Sequence, residues 1–158
     1  MLSGAGEAFM QIRTRPVAAH DEASWRALWA GYLAFYQTDL PPDVTDLTWR
    51  RLLDAAEPVH CLVAEADGAI WGIVNYVFHR ATWTASSYCY LEDLFTAPEA
   101  RGRGVGRALI EAVYAAAQAA GATRVYWLTH ESNATARQLY DAVAENAGFI
   151  QYRKTIAS

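Results

Sequence analysis

The feature that most limits how this chain can fold is a run of alternating glycines, Arg101-Gly102-Arg103-Gly104-Val105-Gly106-Arg107, set between an extended segment and a helical one. Tyr88 to Thr96 is rich in aromatic residues and is closed by Pro98, which reads as a strand. Val105, Ala108, Leu109, Ala112, Val113 and Ala116 recur at the spacing of one helix face, ending near Gly121. Arg124 to Thr129 reads as a further strand. Strand, glycine loop, helix and strand in this order make a βαβ crossover, so the strands from Tyr88 and Arg124 are expected to be parallel. At the start of such a helix the first N–H groups lack partners and the dipole is positive. Glycines let an anion approach the backbone there, and three arginines add fixed charge.

Spacing removes two nucleotide motifs. A P-loop ends in Gly-Lys-Ser/Thr, but Gly106 is followed by Arg107-Ala108. A dinucleotide fingerprint needs a small residue at its sixth position, which is Arg107 counted from Gly102 and Leu109 counted from Gly104.

The rest of the chain supplies a core around this unit. Phe9 to Arg15 reads as a short strand closed by Pro16, with residues 1–9 an extension and 10–158 a single domain. Asp21 is a candidate cap for a helix whose face is Trp25, Leu28, Trp29, Tyr32, Leu33 and Tyr36. Leu40-Pro41-Pro42-Asp43 interrupts it, and Thr45 or Asp46 is expected to cap a second helix through Leu53. His60 to Glu65 and Ala69 to His79 flank Ala66-Asp67-Gly68 as a hairpin, because Asp-Gly accepts positive φ. Asn133 is placed to cap a helix with Ala136, Leu139, Tyr140, Val143, Ala144 and Ala147 on one face, ended by Gly148, and Phe149 to Ile156 reads as a last strand.

Composition excludes several classes. With 53% hydrophobic and 19% charged residues, the 158-residue chain has material for one core. Cys61 and Cys89 are too few for a zinc cluster, the four histidines have no metal-ligand spacing, and a reduced, cytoplasmic setting is the simplest reading. There is no apolar run of membrane-spanning length and no secretory leader pattern. The formal charge of −4 argues against nucleic acid as a partner. Residues 1–79 carry 5 basic and 10 acidic side chains, which suits a cationic ligand, whereas the arginine-rich centre suits an anion.

Arg101-x-x-Gly104-x-Gly106, preceded by Tyr90-Leu91-Glu92-Asp93-Leu94-Phe95 and followed by Asn133 through Tyr140 and by Gly148-Phe149, resembles the GNAT N-acetyltransferase superfamily from about Met10 to Ile156. His60 to Glu65 and Tyr90 to Asp93 resemble the diamine (spermidine/spermine and thialysine) acetyltransferases. Trp29 through Tyr36 and Tyr126 to His130 are more similar to the microbial histone and polyamine acetyltransferase branch. One departure is that Thr82, Trp83 and Thr84 stand where the diamine enzymes carry Asp-Pro-Trp. The resemblance implies an α/β (α+β) fold, a mixed central sheet of about six to seven strands flanked by about four helices, with the strands from Tyr88 and Arg124 splayed around the acyl-CoA.

It also implies roles. Acetyl-CoA is the expected cosubstrate, held by the 101–107 loop (Arg101, Gly102, Arg103, Gly104, Val105, Gly106, Arg107), by backbone groups of Leu94, Phe95 and Thr96, and by Asn133 and Tyr140. Glu92 is the expected base and Tyr140 the acid that protonates the leaving thiolate. Asp93, with Glu92, is expected to bind the amine, and Tyr36 and Trp83 to frame it. Alternation puts Glu92 on the face of Tyr88 and Tyr90 and Asp93 on the other, unless a bulge intervenes.

An alkylammonium of pKa about 10.4 transfers its proton to a carboxylate of pKa about 4.3 at a cost of roughly 8 kcal/mol, so Glu92 is expected to work through water or with a raised pKa. His130 is an outside candidate for proton relay. Cys89 lacks a neighbouring histidine to activate it, which favours direct transfer over an acyl-enzyme.

The expected function is transfer of an acetyl group to a primary amine of a small cationic acceptor: a polyamine, a basic amino acid or an amine-bearing antibiotic. Protein lysine acetylation and a silent acyl-CoA sensor are the alternatives. A homodimer with Phe149 to Ile156 near its interface is expected, with no metal.

Overall fold

The computed structural model describes residues 10–157, so the extension and Phe9 lie outside the described residues. These residues fall into two compact units, one ending at Leu128 and the other beginning at Thr129. The first unit is a five-stranded sheet with helices on it, in the order β1 (Arg13–Pro16), α1 (Glu22–Phe35), α2 (Pro42–Leu53), β2 (Val59–Ala66), β3 (Ala69–Arg80), β4 (Ser87–Thr96), α3 (Val105–Ala119) and β5 (Arg124–Tyr126). The strands lie side by side in sequence order. β1 to β4 pair antiparallel, and β4 pairs with β5 in parallel, as the crossover requires. The β2–β3 hairpin turns at Asp67-Gly68, with φ of +51° and +75°.

The two faces of the sheet bury different partners. α1 and α2 bring Trp25, Leu28, Trp29, Trp49 and Leu52 against Cys61, Val63, Ile73 and Phe95, with Trp25 stacked on Trp29 at 5.6 Å. A Cβ on Gly31 would lie 2.8 Å from the Phe95 ring, so α1 crosses directly over β4 and only glycine permits that approach. Val105, Leu109, Ile110 and Val113 form the buried stripe of α3, and all are at most 1% exposed.

Asp21 stands at the N-cap of α1, but its side chain makes no capping bond. It accepts two hydrogen bonds from Arg15, at 2.7 and 2.9 Å, and one from the Ala18 N–H at 2.8 Å. Arg15 also donates from Nε to Glu65 at 2.9 Å. The Arg15 hydrogen bonds outweigh burial and hold Asp21, only 3% exposed, below the ordinary carboxylate range. Arg15→Ala strands that carboxylate in the protein interior and is expected to cost about 3 kcal/mol or more at pH 7. Because the folded pKa is lowered, the stabilisation exists above the unfolded value near about 3.9 and is lost as pH falls through the folded one. Thermal melts of the two proteins should therefore differ most at neutral pH and converge in strong acid.

Several expectations need correction. α2 begins at Pro42 rather than at Thr45 or Asp46, because proline fits the first helical position, where its missing N–H was an orphan in any case. β5 stops at Tyr126 instead of reaching Thr129, since its ladder on β4 covers only Tyr88 to Tyr90. In the second unit, α4 (Ala134–Val143) ends short of Ala147, where the Asn146 side chain takes the Gly148 N–H at 2.9 Å, a local bond that competes with helical pairing. Asn133 occupies the N-cap position without a side-chain cap, its amide donating instead to Thr129 Oγ1 at 3.3 Å. Residues 149–156 form no strand, leaving the sheet at five strands rather than six to seven. Phe149, Ile150, Tyr152 and Ile156 are all at least 77% exposed; alternation alone cannot make a strand without an edge to pair with.

Candidate active site

The register of β4 decides the site. Asp93 stands opposite Asn75, and Leu91 opposite Tyr76, so Glu92 is an extra residue bulged out of the ladder. The bulge resets the alternation and puts Asp93 on the same face as Tyr90 and Tyr88, beneath α1, with Glu92 beside it at the kink. Simple alternation along β4 is thus broken at Glu92, and Asp93 takes the face that Glu92 would otherwise share with Tyr88 and Tyr90.

Asp93 sits in a polar pocket within an otherwise apolar layer. Asn75 Nδ2 donates to its Oδ2 at 3.1 Å, and the Tyr32 hydroxyl donates to it from α1. Burial raises the Asp93 pKa, and those two hydrogen bonds pull it only part of the way back. Glu92 is reached by solvent, yet the surrounding protein strips enough hydration to raise its pKa, with the charge of Asp93 adding to the effect. Burial and Asp93 also push the Tyr32 and Tyr36 hydroxyls up, so both stay protonated and available as donors. Tyr36, at the C-cap of α1, has its ring 4.8 Å from that of Tyr32.

A raised carboxylate pKa is a standing cost to the fold. Asp93 is expected to stabilise the protein as pH falls through its folded pKa and to destabilise it above, the opposite sign to Asp21. Asp93→Asn should therefore raise the melting temperature at pH 7, where its amide can also meet Asn75 Oδ1, a buried atom with no hydrogen-bond partner. Calorimetry at pH 7 and pH 4 checks this, with the gain shrinking at the lower pH.

β4 runs six residues past its last pairing with β5, so among the described residues Leu91 to Thr96 have no strand on that side. Backbone groups facing the gap near Leu94, Phe95 and Thr96 suit a hydrogen-bonding chain lying along the strand. The Phe95 ring is core, which leaves its backbone as the available part.

The gap leads to the glycine loop. Gly102 and Gly104 have φ of +75° and +87°, and α3 starts at Gly104 with no side-chain cap. Among the described residues a Cβ on Gly104 would meet only Ile12 Cδ1, at 4.0 Å, so they leave the space above this helix end open. An uncapped helix N-terminus with open space and Arg103 and Arg107 alongside fits the pyrophosphate of CoA. Val105 is 1% exposed and offers only its backbone N–H. Arg101 folds back instead, its guanidinium lying 5.6 Å from the Phe95 ring and 6.0 Å from Phe35, with a bond from Nε to Thr96 O at 3.4 Å. Arg107 lies 3.8 Å from Glu111 across one helical turn, an exposed pair of small energetic weight.

Tyr140 and Asn133 belong to the second unit, with Tyr140 half-buried on α4. Trp83, in the β3–β4 loop, is 78% exposed. Cys89 is fully buried, and burial pushes its thiol up to about 11, a poor nucleophile. A hollow of about 250 Å³ between the end of α3 and β5, lined by Tyr114, Gln118, Ala122 and Val125, contains none of these groups.

Two site residues escaped the sequence reading. Tyr32 was absorbed into the apolar face of α1, and Asn75 into a strand. The available signal was Asn75 as the lone polar residue between Ile73-Val74 and Tyr76-Val77-Phe78.

Residues 23–144 match the model of the acetyltransferase (GNAT) family. The D-amino-acid N-acetyltransferase HPA3 of Saccharomyces cerevisiae is 34% identical over 147 residues, covering 91% of each chain. A thialysine N-epsilon-acetyltransferase of Bos taurus is 34% identical over 92 residues, covering 53% of this chain and 54% of its own length. Among solved structures, AAC(6')-Iy in complex with the bisubstrate analog CoA-S-monomethyl-acetylneamine superposes with a TM-score of 0.80 at 21% identity, covering 92% of this chain and 99% of that one. With a bulged acidic strand, a parallel pair whose ladder stops at Tyr90 and a glycine loop at a helix N-terminus all in place, the chain belongs to the GNAT family and is an N-acetyltransferase.

Proposed function

We propose that this enzyme transfers the acetyl group of acetyl-CoA directly to a primary amine of a small cationic acceptor. The observation that carries the reading is the bulge at Glu92, which gathers two carboxyl groups at one point of β4, next to the strand edge that β5 leaves open. Acetyl-CoA, bound along that edge and at the start of α3, supplies the acyl carbonyl. Asp93, fixed by Asn75 and Tyr32, attracts the acceptor ammonium. Glu92 takes its proton through water, and the raised pKa of Glu92 shortens the uphill step. The freed amine attacks the carbonyl carbon, the adduct nitrogen releases its second proton to solvent water, the carbon–sulfur bond breaks, and Tyr140 gives its hydroxyl proton to the departing thiolate, to be reprotonated from solvent.

Following thiol release across a panel of amines tests the reading. Turnover with small amines is expected, and tight CoA binding without turnover on any amine would point to a sensor.

Residues 149–156 are the natural contact of a homodimer, since an apolar and aromatic segment this exposed gains by finding a partner edge. Light scattering should show a dimer at micromolar concentration, and removal of residues 149–158 should yield a monomer.

A further inference from the structure

The open edge of β4 has one of its acceptors already taken. Ala97 donates its N–H to Trp71 O at 2.8 Å, which turns the backbone of Ala97 toward β3. Successive residues of a strand aim their N–H and C=O at opposite edges, so Thr96 aims its pair away from β3, into the gap that β5 leaves. The chain itself fills the Thr96 carbonyl: Arg101 Nε donates to it at 3.4 Å. The guanidinium carbon lies 5.6 Å from the centre of the Phe95 ring and 6.0 Å from that of Phe35, the last residue of α1 and 55% exposed. All three partners are neutral. A guanidinium at the surface with one long bond and two ring contacts is weakly held. Only Gly102, Arg103 and Gly104 separate Arg101 from Val105, where α3 begins, so a guanidinium that leaves Thr96 can reach an anion at that helix end.

We infer that Arg101 makes the enzyme selective for its acyl donor: it occupies the Thr96 carbonyl until a pyrophosphate draws it away, so that thioesters of CoA are accepted and thioesters of pantetheine alone are refused. This rests on the acetyl-CoA binding proposed above and adds a discrimination to it. A pantetheine arm lying along β4 uses the Thr96 carbonyl for one of its amide N–H groups. Without phosphate, the arm has to break the Arg101 bond and leaves the guanidinium with no new partner. CoA brings that partner. A bidentate guanidinium–phosphate pair is charge-assisted, and it is stronger than a 3.4 Å bond to a neutral carbonyl. The two halves of CoA therefore help each other through one side chain, and the whole binds better than its parts predict. Arg101 touches no reacting atom, so it selects the donor by position alone.

Calorimetry with pantetheine and with adenosine 3′,5′-bisphosphate, the nucleotide half of CoA, tests this on the wild-type enzyme. Saturating bisphosphate should tighten pantetheine binding by about threefold or more, and by reciprocity pantetheine should tighten bisphosphate binding by the same factor. Arg101→Ala should move the two ligands in opposite directions. Pantetheine should bind the variant about threefold more tightly than the wild type, and CoA about tenfold more weakly, with a thermal melt to show that the variant is folded. An arginine that only holds phosphate would leave pantetheine binding unchanged by the substitution, and one that only supports the loop would weaken both ligands. Either result in a folded variant overturns the inference. So does pantetheine binding to the wild type that the bisphosphate leaves unchanged or undetectable, a test that needs no variant. CoA binding that persists through those outcomes leaves the acetyl-CoA reading standing, whereas failure of the wild type to bind CoA removes that reading and this one together.

Discussion

Tyr140→Phe should lower kcat by about 10²-fold or more while acetyl-CoA affinity stays within about twofold. The substitution removes one hydroxyl and keeps the half-buried ring on α4, so the melting temperature should barely move. A thiolate of pKa about 8.5 leaves more readily when a proton arrives as the carbon–sulfur bond breaks, and general acids typically supply rate factors of this size. Two readouts separate catalysis from packing. The loss should appear in kcat and kcat/KM together, and it should shrink when the acyl donor carries a more acidic thiol. A folded variant with undiminished turnover would return Tyr140 to a packing role.

Gly104→Val should weaken CoA binding by more than about 100-fold, with Arg103→Ala losing about tenfold. The difference comes from what each residue supplies. Arg103 contributes one cation at the surface of the loop. Gly104 keeps open the space above the uncapped N–H groups of α3, which is where a phosphate would sit. Its φ of +87° adds backbone strain to any side chain, so titration calorimetry should be paired with a melt and with Gly104→Ala, the smallest intrusion. Equal losses for Gly104→Ala and Arg103→Ala in folded proteins would remove the backbone cradle.

Much of the fold was legible because it depends on local periodicity and punctuation. Val105, Leu109 and Val113 of the α3 stripe are buried and its alanines half-buried, Asp67-Gly68 turned the hairpin, and the glycine loop between a strand and a helix gave the parallel β4–β5 pair. The errors fall where a residue had to choose among partners. Asp21 does stand at the helix start that its spacing marks, but instead of capping it the carboxylate went to Arg15, six residues earlier in the chain and joined to Glu65 on β2. The segment from Phe149 has strand-like residues and no strand, because pairing is a property of two segments and a sequence pattern describes one.

The sequence by itself determined the identity of the candidate residues: Glu92 and Asp93 adjacent in a strand, a glycine loop opening a helix, and a tyrosine seven residues after Asn133. Only the tertiary structure decided which way they face. One extra residue at Glu92 reverses the alternation of β4, and nothing in the local sequence marks it, because a bulge is set by the register against β3. That register puts Asp93 over Asn75 and under Tyr32, and the crossing of α1 at Gly31 supplies the cover that raises both carboxyl pKa values. Side-chain chemistry is written one residue at a time, but desolvation and hydrogen-bond partners come from residues distant in the chain, and these convert two ordinary acids into a site.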